Sequence, residues 1–296
     1  MNTTELLASI KRGCSVPANQ NRFTDADILA IADEEIQTKL LPVLLSLRQE
    51  YLVTKEQLTL TPSQAGYAIP VRSIGRTLRS LAIISGSTTS YLNYIDPSDI
   101  AGSQSNGIPT SFYFEGDKFI LYPTPASASV LEIKYEMRPS DLTDVANCGL
   151  ITAINTAGNY ITISSTPSSI IVGAVVDFIS DYAILSKDAT VTNVSGTNIY
   201  FTSLPTGLAV NNYIALAKFS PLVQLPREMH QVLSQAVECR LLEALGDFEG
   251  LGASAQKLTE KTNAMLSLLA PRQKGSQQKI VQFNGLLNRA RSRFNA

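Results

Sequence analysis

The chain has 296 residues, with 24 Lys and Arg against 25 Asp and Glu, a net charge of −1; 17% of residues are charged and 44% hydrophobic. This composition excludes an intrinsically disordered chain, and no apolar run approaches the roughly 18 residues of a membrane span. Cys14, Cys148 and Cys239 show no CxxC spacing, so neither a disulfide framework nor a zinc site is suggested, and His230, the only histidine, comes with no nucleophile context for a Ser-His-Asp triad.

The start, Met1-Asn2-Thr3-Thr4-Glu5, has neither the basic residues nor the apolar core of a signal peptide, which points to a soluble protein made in the cytoplasm. Thr24 with Asp27 forms a capping-box pattern that opens a long helix to about residue 52. Its apolar positions, from Ile28 to Leu47, recur at helical spacing, and Pro42 should kink it. The acidic run Asp33-Glu34-Glu35 reads as a solvated helix face rather than an acid–base set.

From Tyr51 to about Ser140 the pattern turns to strands, at residues 50–53, 57–60, 81–84 and 131–137. Tyr67 to Pro70 is extended and leads into a short helix through Leu78, while Phe112–Pro123 forms an aromatic-rich hairpin around Gly116. Between Asn147 and Ala217 only Asp177, Asp181, Lys187 and Asp188 are charged. That block reads as a repeat: Ile151–Ile163 resembles Val191–Phe201, and each hairpin precedes another apolar strand, Val175–Ile179 or Asn212–Leu216. Two such halves predict a six-stranded barrel or sandwich with internal symmetry. The helical pattern resumes at Pro226 and continues from about Ala253 to Leu269, with Gly246, Gly250 and Gly252 as the hinge of a helical hairpin.

There is no GxxxxGK[ST] or GxGxxG, and the carboxylate pairs Glu115/Asp117 and Asp96/Asp99 sit in turns that explain them locally. No cofactor and no enzymatic activity are expected. Residues 271–296 hold six basic residues and no acidic one, leaving 18 basic against 25 acidic residues, net −7, in residues 1–270. Apolar residues interleave with the charges, so docking on another protein explains more of the tail than DNA binding does. The candidate docking residues are Lys279, Phe283, Leu286, Leu287, Arg289, Arg291, Arg293 and Phe294.

The fold class is therefore α+β: a helical bundle with a β-rich insertion, an inserted all-β barrel or sandwich and an extended C-terminal arm. The boundaries fall at 1–144 for the first part of the body, 145–217 for the inserted module, 218–270 for the closing hairpin and 271–296 for the arm. In order, Phe23–Ile28, Tyr67–Gly75, the Phe112–Pro123 hairpin ending Tyr-Pro-Thr-Pro, Leu131–Leu142 and the closing helices resemble the head-to-tail adaptor (connector) proteins of tailed, particularly short-tailed, bacteriophages. The resemblance spans about residues 23–270. It implies a virion neck protein that forms a ring, typically twelve-fold, beneath the portal protein, prolongs the DNA channel and presents a surface to the tail nozzle or tube. The partners implied are the portal, the nozzle or tube, further copies of the chain and genomic DNA in passage, with tail fibres as a further candidate and no membrane. A receptor- or glycan-binding β-module of a virion, which an exposed aromatic row would favour, and a cell-wall hydrolase are the alternatives.

Overall fold

A computed structural model describes residues 1–14, 22–100, 106–181 and 183–269. Five α-helices carry the first and last parts of the chain: α1 Thr3–Gly13, α2 Asp25–Glu35, α3 Leu41–Leu47, α4 His230–Leu245 and α5 Phe248–Leu268. The central helix is α4, buried on nearly every side, with α1, α2 and α5 packed around it. Leu6, Ile10, Ile28, Leu44, Leu233, Val237 and Met265 interlock in the common core. Helix α1 went unread in the sequence, although Asn2 and Glu5 form its capping box, each side chain accepting from the other residue's N–H. The Thr24–Asp27 box at α2 is present.

The single long helix expected over 24–52 is instead α2 and α3 joined by a π-helical turn, Ile36–Leu40, and it stops at Leu47. Pro42 has no N–H for the carbonyl four residues back. The chain widens just before it, with the Leu41 N–H reaching the Ile36 carbonyl. The closing hairpin also differs. Gly246 alone makes the turn, in the left-handed region at φ 78, and Asp247 caps α5 by accepting from the Gly250 N–H at 2.9 Å. Gly250 and Gly252 belong to α5, which starts earlier than expected, at Phe248.

The strands between the helices are β1 Val53–Thr59, β2 Gly66–Ala68, β3 Ser80–Ser85, β4 Thr88–Tyr91, β5 Asn93–Tyr94, β6 Asn106–Gly107, β7 Ser111–Glu115, β8 Lys118–Tyr122, β9 Thr124–Pro125, β10 Val130–Glu136 and β11 Asp141–Leu142. They form two four-stranded sheets, β1-β10-β3-β4 and β2-β8-β7-β5, around one core of Leu81, Phe119, Leu121, Leu131, Ile133 and Tyr135. Strand β1 begins at Val53, so residues 50–52 are turn. The helix expected through Leu78 is one 3-10 turn, Ile74–Arg76, because Gly75 and Arg76 both take positive φ.

Six further strands close into a barrel in the order β12-β13-β16-β15-β14-β17: β12 Gly149–Asn155, β13 Tyr160–Ile163, β14 Val175–Ser180, β15 Ala183–Ser195, β16 Asn198–Phe201 and β17 Tyr213–Leu216. Its pairings obey a pseudo-twofold that exchanges β12, β13, β14 with β15, β16, β17. Both hairpins break register at one place, after Ile151↔Ile163 and after Val191↔Phe201. The Ile151 N–H donates to the Asn212 carbonyl and the Val191 N–H to the Ala174 carbonyl, each at 2.9 Å. Across the two symmetric seams Tyr160↔Tyr200 exchanges with Thr162↔Asn198, and Val176↔Leu216 with Phe178↔Ile214. The central pairs are Ile161↔Ile199 on one seam and Asp177↔Ala215 on the other. Where the chain leaves the barrel, β18 (Phe219–Ser220) pairs in parallel with β11, so the two connections to the barrel lie side by side.

Candidate interaction surfaces

The proposed docking residues Lys279, Phe283, Leu286, Leu287, Arg289, Arg291, Arg293 and Phe294 lie outside the described residues. The contact that organises the described part is one that sequence reasoning missed. Arg72 follows the extended segment ending at Pro70, and the turn is closed by the Ser73 N–H donating to the Pro70 carbonyl at 2.9 Å. Its guanidinium grips Asp177 two-handed, Nη1 to Oδ2 at 2.7 Å and Nη2 to Oδ1 at 3.0 Å, and Nη2 also reaches Asp188 at 2.8 Å.

Asp177 has no solvent exposure and Arg72 only 9%. A carboxylate so deep must have its lone pairs filled. The backbone N–H groups of Asp188 and Lys218 also donate to it, at 2.9 and 3.0 Å, and both residues take left-handed backbone, φ 57 and 75. Left-handed backbone costs a non-glycine residue roughly 1 kcal/mol, here in exchange for two hydrogen bonds to a buried charge. Burial would lower the Arg72 pKa, but hydrogen bonds and charge from Asp177 and Asp188 hold it above its ordinary value.

A second contact lies beside the first. Lys187 on β15 donates to Glu56 on β1 and to the hydroxyl of the fully buried Tyr135 on β10, with its ammonium 5.0 Å from the Tyr135 ring centre. Burial would lower the Lys187 pKa, and these two partners raise it instead. Three of the four charged residues in the otherwise neutral 147–217 block thus fasten the barrel to the rest of the chain. Their crowding into twelve residues was the only sequence signal for this contact, and Arg72 gave none.

Of the acidic run on α2 only Glu34 is on the solvated face expected. Glu35 is 2% exposed and pairs with Lys39 and Arg240. Asp33 accepts the Leu142 N–H with both oxygens, at 2.9 and 3.0 Å, tying α2 to β11. Burial pushes the Asp33 carboxyl up to about 7, against the pull of that hydrogen bond, and Asp141 nearby adds to the rise. The strand that covers it, β11, lies far away in sequence.

No catalytic grouping emerges from the other candidates. Asp96 caps a 3-10 turn through the hydroxyl and N–H of Ser98, which hold its carboxyl below the ordinary range, the wrong direction for a general acid. Glu115 stands opposite Lys118 across the hairpin turn. Cys14 and Cys148 are pushed up to about 12 by burial, and His230 is buried with Nε2 3.0 Å from the Leu225 carbonyl, its pKa lowered first by that burial. Among the described residues no group of His, Cys, Asp and Glu could hold a metal ion, and no helix is long and apolar enough to cross a membrane. Described aromatic residues of the barrel are buried or half-buried, with the Tyr160 and Tyr200 rings tilted against one another at 5.0 Å, so among the described residues the barrel has no exposed aromatic row for a sugar.

The body is mixed α+β, and its deepest ion pair, Arg72 with Asp177, joins two of its parts. The model of the SU10 adaptor protein family matches residues 1–179, more than half of the 296, and the chain belongs to that family. It is a phage adaptor, a structural component of the virion. Among curated proteins, none is similar enough to the chain to count as a match.

Proposed function

We propose that the chain is the subunit of a head-to-tail adaptor ring, typically twelve-fold, that seats beneath the portal protein, prolongs the DNA channel and offers the tail nozzle its attachment surface. Family membership carries this reading. A net −7 over residues 1–270 supports it, since it would let DNA slide past without the neutralisation that makes it bind. Residues 1–144 and 218–270 then form the adaptor body, 145–217 a module facing neighbouring subunits or the tail, and 271–296 an arm that reaches the portal. The arm would bring Phe283, Leu286, Leu287 and Phe294 into apolar grooves, with Lys279, Arg289, Arg291 and Arg293 meeting acidic groups.

Electron microscopy of the chain mixed with portal rings is the direct test. The expected result is a closed ring on the portal with the full chain, and none with a chain ending at residue 269 that stays folded. Equal portal binding by the truncated chain would remove the arm from the reading. No association of the full chain with any portal preparation would sink the adaptor-ring assignment itself.

A further inference from the structure

Beside the Arg72–Asp177 contact lies a small pocket of 220 Å³ whose wall includes Gln37, Arg72, Arg138, Ser140, Asp141 and Lys218. Its walls come from the helical part, the strand-rich part and the barrel exit. Ser140 is 7% exposed, and its buried Oγ has no hydrogen-bond partner. A buried hydroxyl without a partner is uncommon in a folded protein and marks a place where a polar group is due. The Ser140 backbone is already settled, its N–H donating to Gln224 Oε1 at 2.9 Å.

The charges on the wall are unequal in commitment. The Arg72 guanidinium is spent on Asp177 and Asp188. Arg138 and Lys218 are exposed, and among the described residues neither side chain makes an ion pair; Asp141, the only carboxylate on the wall, pairs with neither. Two uncommitted cations and a buried hydroxyl around a space this small suit one compact anion with several acceptor oxygens. A nucleic-acid segment or a peptide helix would not fit within it.

We infer that this pocket binds a small oxyanion of the phosphate class, held by Arg138, Lys218 and the Ser140 hydroxyl. The bound ion bridges the segment entering the barrel, at 138–140, to the residue leaving it, Lys218, and so fixes the barrel against the body. Asp141 opposes the ion and sets its affinity in the weak range.

The test is calorimetric titration of the full chain with sodium phosphate at constant ionic strength, with sodium chloride as reference, alongside thermal melting. Saturable phosphate binding and a rise in melting temperature beyond that in chloride are expected. R138A/K218A, both exposed positions with folding checked by circular dichroism, should weaken binding at least tenfold. S140A should weaken it a few-fold, and D141N should tighten it. Identical phosphate responses in the wild type and R138A/K218A, or no response beyond chloride, would overturn the site. Binding of a short DNA duplex through Arg138 and Lys218 with no response to inorganic phosphate would overturn it in favour of backbone phosphate.

Discussion

Strands β12–β14 and β15–β17 share one hairpin, one bulge and one return strand, and differ most where the barrel meets the rest of the chain. At the centre of one seam, equivalent positions hold Ile161 and Ile199, both fully buried; at the centre of the other they hold Asp177 and Ala215. Lys187 and Asp188 lie where β15 bulges against β14, whereas its counterpart β12 begins only at Gly149. Symmetry is thus kept where it serves the barrel's own core and broken where the barrel needs one orientation on its support. A half-turn about the pseudo-axis would bring Ala215 to Arg72 and leave a buried guanidinium with nothing to grip.

That comparison can be broken most forcefully at Asp177. D177A strands Arg72 in a buried site, and a loss of about 3–5 kcal/mol in urea unfolding is expected, while R72M/D177L should recover much of it. A D177A chain as stable as the wild type would show that the asymmetric seam does not hold the barrel. The symmetric seam supplies the counterpart. I161A and I199A should each cost about 2–5 kcal/mol and agree within about 1 kcal/mol, since the two residues pair with each other and their hairpin partners, Ile154 and Val194, differ by one methylene. A large inequality would mean that the pseudo-symmetry stops at the backbone.

Away from the barrel, Asp33 is a buried carboxylate without the cation that Asp177 has. Its pKa in the folded protein, about 7, lies above the ordinary carboxylate value of 3.8, so folding favours the protonated form. Its contribution is therefore present below about pH 4 and is lost as pH rises through 7, on the order of 2 kcal/mol after allowance for solvent. D33N should flatten the stability profile between pH 5 and 8 and raise stability at the upper end. An unchanged profile would place the carboxyl in ordinary solvent. K187A should have the smallest effect, below about 1 kcal/mol, because Glu56 is 40% exposed and rehydrates readily.

The legible parts of the sequence were those with local causes. The 111–122 hairpin announces itself by Gly116, β10 by its alternation, and the barrel's two halves by the likeness of Ile151–Ile163 to Val191–Phe201. What escaped had causes elsewhere in the chain. Arg72 and Asp177 are 105 residues apart, and Asp33 is buried by a strand 109 residues on. The π-helical turn is a compromise between Pro42 and the packing of both flanking helices, a choice that helical periodicity does not encode. Helix α1 is a different case, since its capping box, Asn2 with Glu5, is a local signal.

The parallel pair of Asp141 with Phe219 and Leu142 with Ser220 has an evolutionary consequence. Because the chain departs for the barrel and returns from it along adjacent backbone, the 76 or so intervening residues form an excursion that begins and ends at one spot. Recombination at that spot exchanges one appendage for another without rerouting the polypeptide beneath it.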